Sequence, residues 1–367
     1  METPEYTIVT AWYDVRERED HPYKENQENR FFCSTNTYFK SAEPFFNKPF
    51  PMVIFTEPRF EKMIKDARPP ALHHLTKFMF KPYEDYQLLD TYLEKHKIHK
   101  IDNLTQEKFT GLYKFIVNQK VNFVKETILM NPFSTEKFAW MDLRLHCVYD
   151  MDMEECDQVF STLDPNRVKL MQMAYTPSHE VAYRNVFYWV TRGKVAAGFF
   201  AGYKAPLLKF CELCQTEFIE SLNQDLTPTD EMIYAYIVGK NYDLFDPYTG
   251  DYPQCIQNIM RTCSSTHLCL NFLNKAIEDS NDYYIWKTAD NLRKGYKENR
   301  FQLNADNLFK IWYYNCVANF RLGHHDNCKI LLKELKDLAI QYPDIMSSLK
   351  LVENDMKPML ETTDFFL

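Results

Sequence analysis

Glycine is scarce in this chain. Only eight are present in 367 residues, and none stands in a G-x-G-x-x-G or G-x-x-x-x-G-K arrangement. Both patterns need glycine where backbone must approach a phosphate, so a dinucleotide fingerprint and a P-loop are excluded. Positive charge is also short: 43 Lys and Arg against 51 Asp and Glu give a formal net charge of -8. That leaves no basic field for nucleic acid, and the basic run at residues 94–100 (EKHKIHK) is short enough to be a solvated helix face. No apolar stretch reaches the roughly 20 residues needed to cross a bilayer, and METPEYTIVT at the start lacks a charged region followed by a signal core. The expectation is a cytoplasmic protein with no membrane span and no nucleic-acid partner. Ten cysteines show no spaced framework, which fits a reducing compartment. The close pair Cys211 and Cys214 lies in a helical pattern with Leu207, Phe210 and Phe218 and reads as core packing.

What is present is apolar and aromatic, 45% and 16% of the residues, enough for a sizeable core in a chain long enough for two domains. Residues 6–13 (YTIVTAWY) are β-branched and aromatic without a breaker and read as the first strand of a buried sheet, ending in Asp14, Val15 and Arg16. Beyond a polar stretch and a helix-like run of aromatics, Pro44, Pro49 and Pro51 lead into a second strand at 52–56 (MVIFT), closed by Glu57 and Pro58. Two apolar strands separated by helical material, each ending in a polar cluster, read as βαβ organisation. Residues 59–67 read as a helix stopped by Pro69 and Pro70, whereas 71–110 carry no usable pattern. Leu112, Phe115, Ile116, Phe123, Val124 and Ile128 recur at three-and-four spacing and predict one helix over 112–130. Lys120 shares its apolar face, where a lysine either snorkels to water or reaches an anionic partner.

The next stretch, 131–146 (NPFSTEKFAWMDLRLH), organises the rest. It reads as a helix exit at Asn131 and Pro132, a polar turn with Ser134 and Thr135, and a short strand from Phe138 to Met141 that ends on Asp142. A strand apolar on both faces is buried in an α/β sheet, and ligands of such sheets bind beyond the carboxyl ends of the strands. At that edge Asp142, followed by Arg144 and His146, has the chemistry to hold a metal-bound diphosphate or to contact phosphate oxygens directly. It equally fits a strand-ending Asp that caps the next turn.

Residues 150–157 (DMDMEECD) lack the glycine and terminal Glu of a calcium loop and read as solvated surface. Residues 186–190 and 195–200 read as strands, and Gly198 and Gly202 in GFFAGYK fit either close approach to a ligand or a tight strand-to-helix turn. After a helix at 205–222, Thr227 and Pro228 read as an N-cap and first helical position. Asp230 and Glu231 then fall in the first turn, where the helix dipole favours acids and where an acid facing a cleft can serve as a catalytic base. Residues 241–253 are rich in turn residues and close a first domain, 1–254. Helical periodicity takes over in a second, 255–367, where Trp312, Cys316, Gly323, Cys328, Leu332 and Leu335 match one tetratricopeptide-like helix pair.

Several of these stretches together resemble a known family. IVTAWYD, VIFTEP, LYKFIVNQKVNFVKETI running into NPFSTEKFAWMD, AAGFFAGYK, TDEMI and GDYP resemble, in this order over residues 5–255, the HtrL/YibB-like family, the WlaTC/HtrL-type glycosyltransferase group. The resemblance implies an α/β fold of GT-A type, a Rossmann-like nucleotide-sugar domain, followed here by a helical, TPR-like region outside it. It implies sugar transfer from a nucleotide-diphosphate sugar donor to a glycan or protein acceptor, with a divalent cation, Mn2+ or Mg2+. Carried over by position, Thr10, Asp14 and Arg16 meet the nucleoside end and Lys120 the diphosphate. Asp142 takes the place of the metal-binding Asp-x-Asp, Gly198 and Gly202 line the acceptor side, and Asp230 or Glu231 is the base. The second acid position holds Arg144 instead, so either Asp142 is a lone metal ligand or the arginine neutralises the leaving diphosphate without metal. The rival expectation is a catalytically inactive scaffold whose helical tail binds protein or dimerises; a nucleotide-sugar hydrolase is a third.

Overall fold

Aromatic and β-branched residues on both faces form β1 (Tyr6–Trp12), buried along its length except at the half-buried Ala11. The computed structural model describes residues 5–15, 35–98, 110–143, 145, 153–190, 193–250, 259, 265–300, 302–345, 347–350 and 357. From β1, α1 (Thr35–Ser41) and α2 (Glu43–Phe46) lead to β2 (Met52–Thr56), and α3 (Glu61–Ala67) leads to β3 (Thr76–Phe80). Three helices, α4 (Leu89–His96), α5 (Gly111–Asn118) and α6 (Lys120–Met130), precede β4 (Lys137–Met141). Then come α7 (Met153–Ser161), β5 (Val168–Gln172), α8 (Arg184–Val190), β6 (Val195–Tyr203), α9 (Lys204–Asn223), α10 (Asp230–Lys240) and β7 (Phe245–Thr249).

The seven strands make one mixed sheet in the order β3-β2-β1-β4-β6-β5-β7. β1 runs parallel to β2 and β4, β2 runs parallel to β3, and β6 lies antiparallel to β4. The chain steps outward from β1 to β3 and then returns to place β4 on the other side of β1. Strand order therefore reverses between β1 and β4, the position at which open α/β sheets leave a crevice beyond the carboxyl ends of their strands. One face of the sheet is covered by α6, whose Phe123 stacks on Phe55 of β2 at 4.6 Å and on Trp140 of β4 at 6.1 Å between centroids. Each such fully buried side chain contributes about 1.5–3 kcal/mol.

The turn between α6 and β4 is built as its residues predict. Asn131 adopts the left-handed conformation at φ 42° and ends the helix. Its side chain accepts from the Thr135 amide and donates to the Thr135 carbonyl, both at 3.0 Å, and the Thr135 hydroxyl meets Thr7 of β1 at 2.7 Å. The 112–130 helix is in fact two, α5 and α6, separated at Gln119.

Three expectations are corrected. Residues 186–190 are helical, because Phe187 and Tyr188 are buried side by side while Val186 and Trp189 are exposed, a helical and not an alternating pattern. α10 starts at Asp230 with Thr229 as its N-cap, so Thr227 and Pro228 lie before it. Within the turn-rich 241–253 stretch lies β7, the terminal strand of the sheet, where Pro247 is tolerated because an edge strand can lack a ladder donor.

The chain divides into two compact units. The first comprises Met1–Met171, Ser178–Asp246 and Tyr252–Gln257, and the second Gln172–Pro177, Pro247–Asp251 and Asn258–Leu367. Thus 172–177 and 247–251 group with the helices α11 (Thr266–Glu278), α12 (Asp282–Lys297), α13 (Ala305–Arg321) and α14 (His325–Gln341), each of which packs on the next in sequence. Within this second unit Tyr175 is fully buried, donates to Asp279 at 2.9 Å and packs edge-on against Phe272 and Tyr284.

Candidate functional site

At the switch point a lysine is held between two carboxylates. Lys120, the first residue of α6, places its Nζ 3.1 Å from Asp142 Oδ1, 2.9 Å from Asp230 Oδ2 and 3.2 Å from the Ala197 carbonyl oxygen. The three groups come from different elements: Asp142 directly follows β4, Asp230 opens α10, and Ala197 lies on β6. Alternation along β4 puts Trp140 and Asp142 on one face, and the Trp140 indole N–H donates to Asp142 Oδ1 at 2.7 Å. The Lys120 ammonium also sits 5.7 Å from the centre of the Trp140 ring, a cation–π contact.

Burial separates the roles. The side chains of Lys120 and Asp230 are 9% and 6% exposed, whereas that of Asp142 is 35% exposed. α10 is buried on nearly every side, so its first residue is buried as well. Burial raises the Asp230 carboxyl above its ordinary value, opposed by the Lys120 ammonium. Burial also works against charge on Lys120, but Asp142 and Asp230 outweigh it and hold the ammonium well above the ordinary lysine value. Tyr113 of α5 belongs to the same field: burial raises its phenol and Lys120 lowers it.

The carboxyl edge of the parallel strands carries further acids. Asp14, two residues past β1, is buried and accepts from the Thr35 hydroxyl at 2.7 Å. Glu57, just past β2, is buried, accepts from the Asp14 amide at 3.3 Å and pairs with Arg59 at 3.0 Å.

The predicted site residues therefore fall into groups. Lys120, Asp142 and Asp230 are brought together, with Glu231 second in α10. Lys120 neither snorkels nor stands free for a diphosphate; its ammonium is enclosed and meets two acids of the protein. Asp230, predicted as a base, is buried behind that ammonium. Gly198 lies beside Asp142: its carbonyl accepts the Asp142 amide at 2.9 Å, and a Cβ there would stand 3.4 Å from Asp142 Oδ2 and 3.1 Å from Leu145. Gly202 does not join them. β6 runs antiparallel to β4, so Gly202 faces Phe138 near the start of that strand, and a Cβ there would meet Leu207 and the Arg167 carbonyl. Thr10 is enclosed within β1, and its hydroxyl has no hydrogen-bond partner among the described residues. Arg16 and Arg144, like Asp150 and Asp152, lie outside the described residues. Trp140 and the Ala197 carbonyl were not anticipated; Trp140 was legible, since it stands two residues before Asp142 on the same strand.

A divalent cation finds one half-exposed carboxylate here, with an ammonium already against it. Among the described residues no group of three or more His, Cys, Asp and Glu could hold a metal ion, so the triad is not a closed cation site. Two hollows open elsewhere, about 530 Å³ beside Leu93, His96 and Thr110 and about 470 Å³ beside Tyr86, Phe115, Asn122 and Phe218. Neither is lined by a member of the triad. No helix among the described residues is long and apolar enough to cross a membrane.

Fold and site together define a mixed α/β protein with a lysine–carboxylate triad, buried except for Asp142, at the switch point of its sheet, joined to a helical unit. The chain belongs to the HtrL_YibB family, described as "Bacterial protein of unknown function (HtrL_YibB)", whose model matches residues 4–259. A search of curated proteins finds no match.

Proposed function

We propose that the first unit is a glycosyltransferase of GT-A type that uses a nucleotide-diphosphate sugar, with its donor site over the carboxyl ends of β1, β2 and β4 and a TPR-like helical unit beside it in the chain. The observation that carries this reading is Asp142: a partly exposed carboxylate at the strand end next to the switch point, held in place by a buried lysine and an indole N–H. Such an edge is where α/β sheets bind nucleotides. Asp142 Oδ1 is committed to Trp140 and Lys120, while Oδ2 has, among the described residues, only the longer Lys120 contact at 3.4 Å. Oδ2 is then the atom that faces the substrate, either accepting a sugar or ribose hydroxyl or taking the acceptor's proton.

In the transfer the acceptor oxygen bonds to the anomeric carbon as the bond from that carbon to the phosphate oxygen breaks, and negative charge grows on the departing diphosphate. Because Lys120 is enclosed, its part is to position Asp142. Arg16 and Arg144 are the remaining sequence candidates to meet the diphosphate. A divalent cation, when bound, would neutralise the same charge.

The rival reading, a non-catalytic sheet unit joined to a protein-binding helical unit, is favoured by one observation: three protein groups within 3.2 Å occupy the Lys120 ammonium. A thermal-shift panel of UDP-, GDP- and CMP-sugars, each with and without manganese, separates the two. At least one donor raises the unfolding midpoint if the site binds nucleotide-sugar, by about 2.7 kcal/mol of stabilisation at 100 times its Kd. Asp142→Asn then removes transfer from that donor while lowering the stability of the ligand-free protein by only about 1 kcal/mol. A panel in which no donor moves the midpoint leaves the scaffold.

A further inference from the structure

The second unit holds a cysteine pair that the proposed transfer does not use. Cys316 lies on α13 and Cys328 on α14, the two helices joined by a turn in which Gly323 takes φ 79°. Both thiols are free and fully buried, and their sulfurs stand 2.9 Å apart. Each sulfur also faces the other residue's carbonyl oxygen, at 3.9 Å from Cys316 and 3.6 Å from Cys328.

That separation decides between the chemistries open to two cysteines. Two thiolates on one zinc ion stand roughly 3.8 Å apart, given Zn–S bonds of about 2.3 Å in a tetrahedral site, so the pair is too close to share a metal. A disulfide needs about 2.05 Å, less than 1 Å of further approach between two side chains already aimed at each other. We infer that Cys316 and Cys328 form a reversible disulfide that clamps α13 to α14 when the protein meets a hydroperoxide.

The step balances with hydrogen peroxide as oxidant. The Cys328 thiolate attacks one peroxide oxygen, the O–O bond breaks, and the products are a Cys328 sulfenic acid and hydroxide, which takes up the proton the thiol gave up. The Cys316 sulfur then attacks the Cys328 sulfur, and the S–OH oxygen leaves with the Cys316 proton as a second water. Two thiols and one peroxide thus yield one disulfide and two waters. Cys328 is assigned the first step because the hydrogen bond it shares with Cys316 lowers its thiol and raises that of Cys316. It also lies in the first turns of α14, where a helix N-terminus favours a thiolate.

Trypsin makes the test direct, because cleavage after Lys310, Arg321 and Lys329 places the two cysteines in separate peptides, 311–321 and 322–329. Full-length reduced protein is treated with hydrogen peroxide, unfolded, alkylated and digested without reductant. The expected result is one linked species, lighter than the two free peptides by two hydrogens, that replaces both alkylated peptides and that dithiothreitol splits into the two free-thiol peptides. In Cys328→Ser, peptide 311–321 is recovered alkylated. Recovery of both cysteines alkylated from the oxidised wild type, as sulfinic or sulfonic acids, or joined to other cysteines overturns the inference. It stands or falls apart from the glycosyltransferase reading, since neither cysteine belongs to the first unit.

Discussion

Lys120 shows how much one side chain can carry. An ammonium enclosed between Asp142 and Asp230 is tolerated because both acids compensate its burial, and removing it would leave Asp230 enclosed and uncompensated. Lys120→Ala is therefore expected to cost about 3–5 kcal/mol, the range for breaking a buried pair by deleting one partner. Asp142→Asn, at a partly exposed position that keeps a polar group against Trp140, is expected to cost about 1 kcal/mol. Urea unfolding of the two variants checks the difference. The pH dependence has a definite sign. Burial raises Asp230 in the folded protein, and without Lys120 it rises further. The folded variant then binds a proton that the unfolded chain has released, so its stability recovers and the deficit narrows as pH falls toward the ordinary carboxylate range. A deficit independent of pH would mean that Asp230 is not the group left unpaired.

The element that sets the geometry of the triad is the α6–turn–β4 unit. Asn131 ends α6 in a left-handed conformation that costs an ordinary residue about 1–2 kcal/mol, and its amide bonds to both backbone groups of Thr135. Asn131→Ala is expected to lower stability in urea by about 2 kcal/mol through the strained backbone and the lost hydrogen bonds. Asn131→Gly should recover the backbone share alone, and two variants of equal stability would remove the conformational part of the account. Because the turn fixes where β4 starts relative to α6, it also fixes Asp142 against Lys120. These residues were legible in order: a helix period, a turn signal and an apolar strand. The strands 76–80, 168–172 and 245–249 were not. β3 is a half-buried edge strand with only three successive apolar residues, β5 carries a lysine buried against Asp246, and β7 carries a proline, so none shows an apolar run of four or more or strict alternation.

Across the molecule the aromatic content decides the response to alkali. Burial holds the phenols of Tyr13, Tyr86, Tyr92, Tyr188 and Tyr234 above the ordinary tyrosine value of 10.0. Above pH 10 the unfolded chain loses these protons while the folded chain keeps them, so the stability they confer is intact below that pH and lost as pH rises. Each such phenol removes about 1.4 kcal/mol per pH unit there. Phenolate absorbance from these side chains should then appear in one step with the loss of near-ultraviolet circular dichroism. A smooth titration of all 24 tyrosines in the folded state would contradict this.

The sequence by itself determined the local pieces: the first strands, the α6–turn–β4 unit, the helical character of the C-terminal region and the family, each written in residues close together in the chain. Only the tertiary structure decided what those pieces do to one another. Lys120 and Asp142 are 22 positions apart and Asp230 lies far beyond both, so no periodicity could say that the lysine is spent on two acids of the protein. The separation of Gly202 from Gly198 likewise follows from β6 running antiparallel to β4, and the meeting of Cys316 with Cys328 from the closure of one helix on the next. Side-chain pattern reports which face is apolar, whereas strand direction and packing decide which charges share that face.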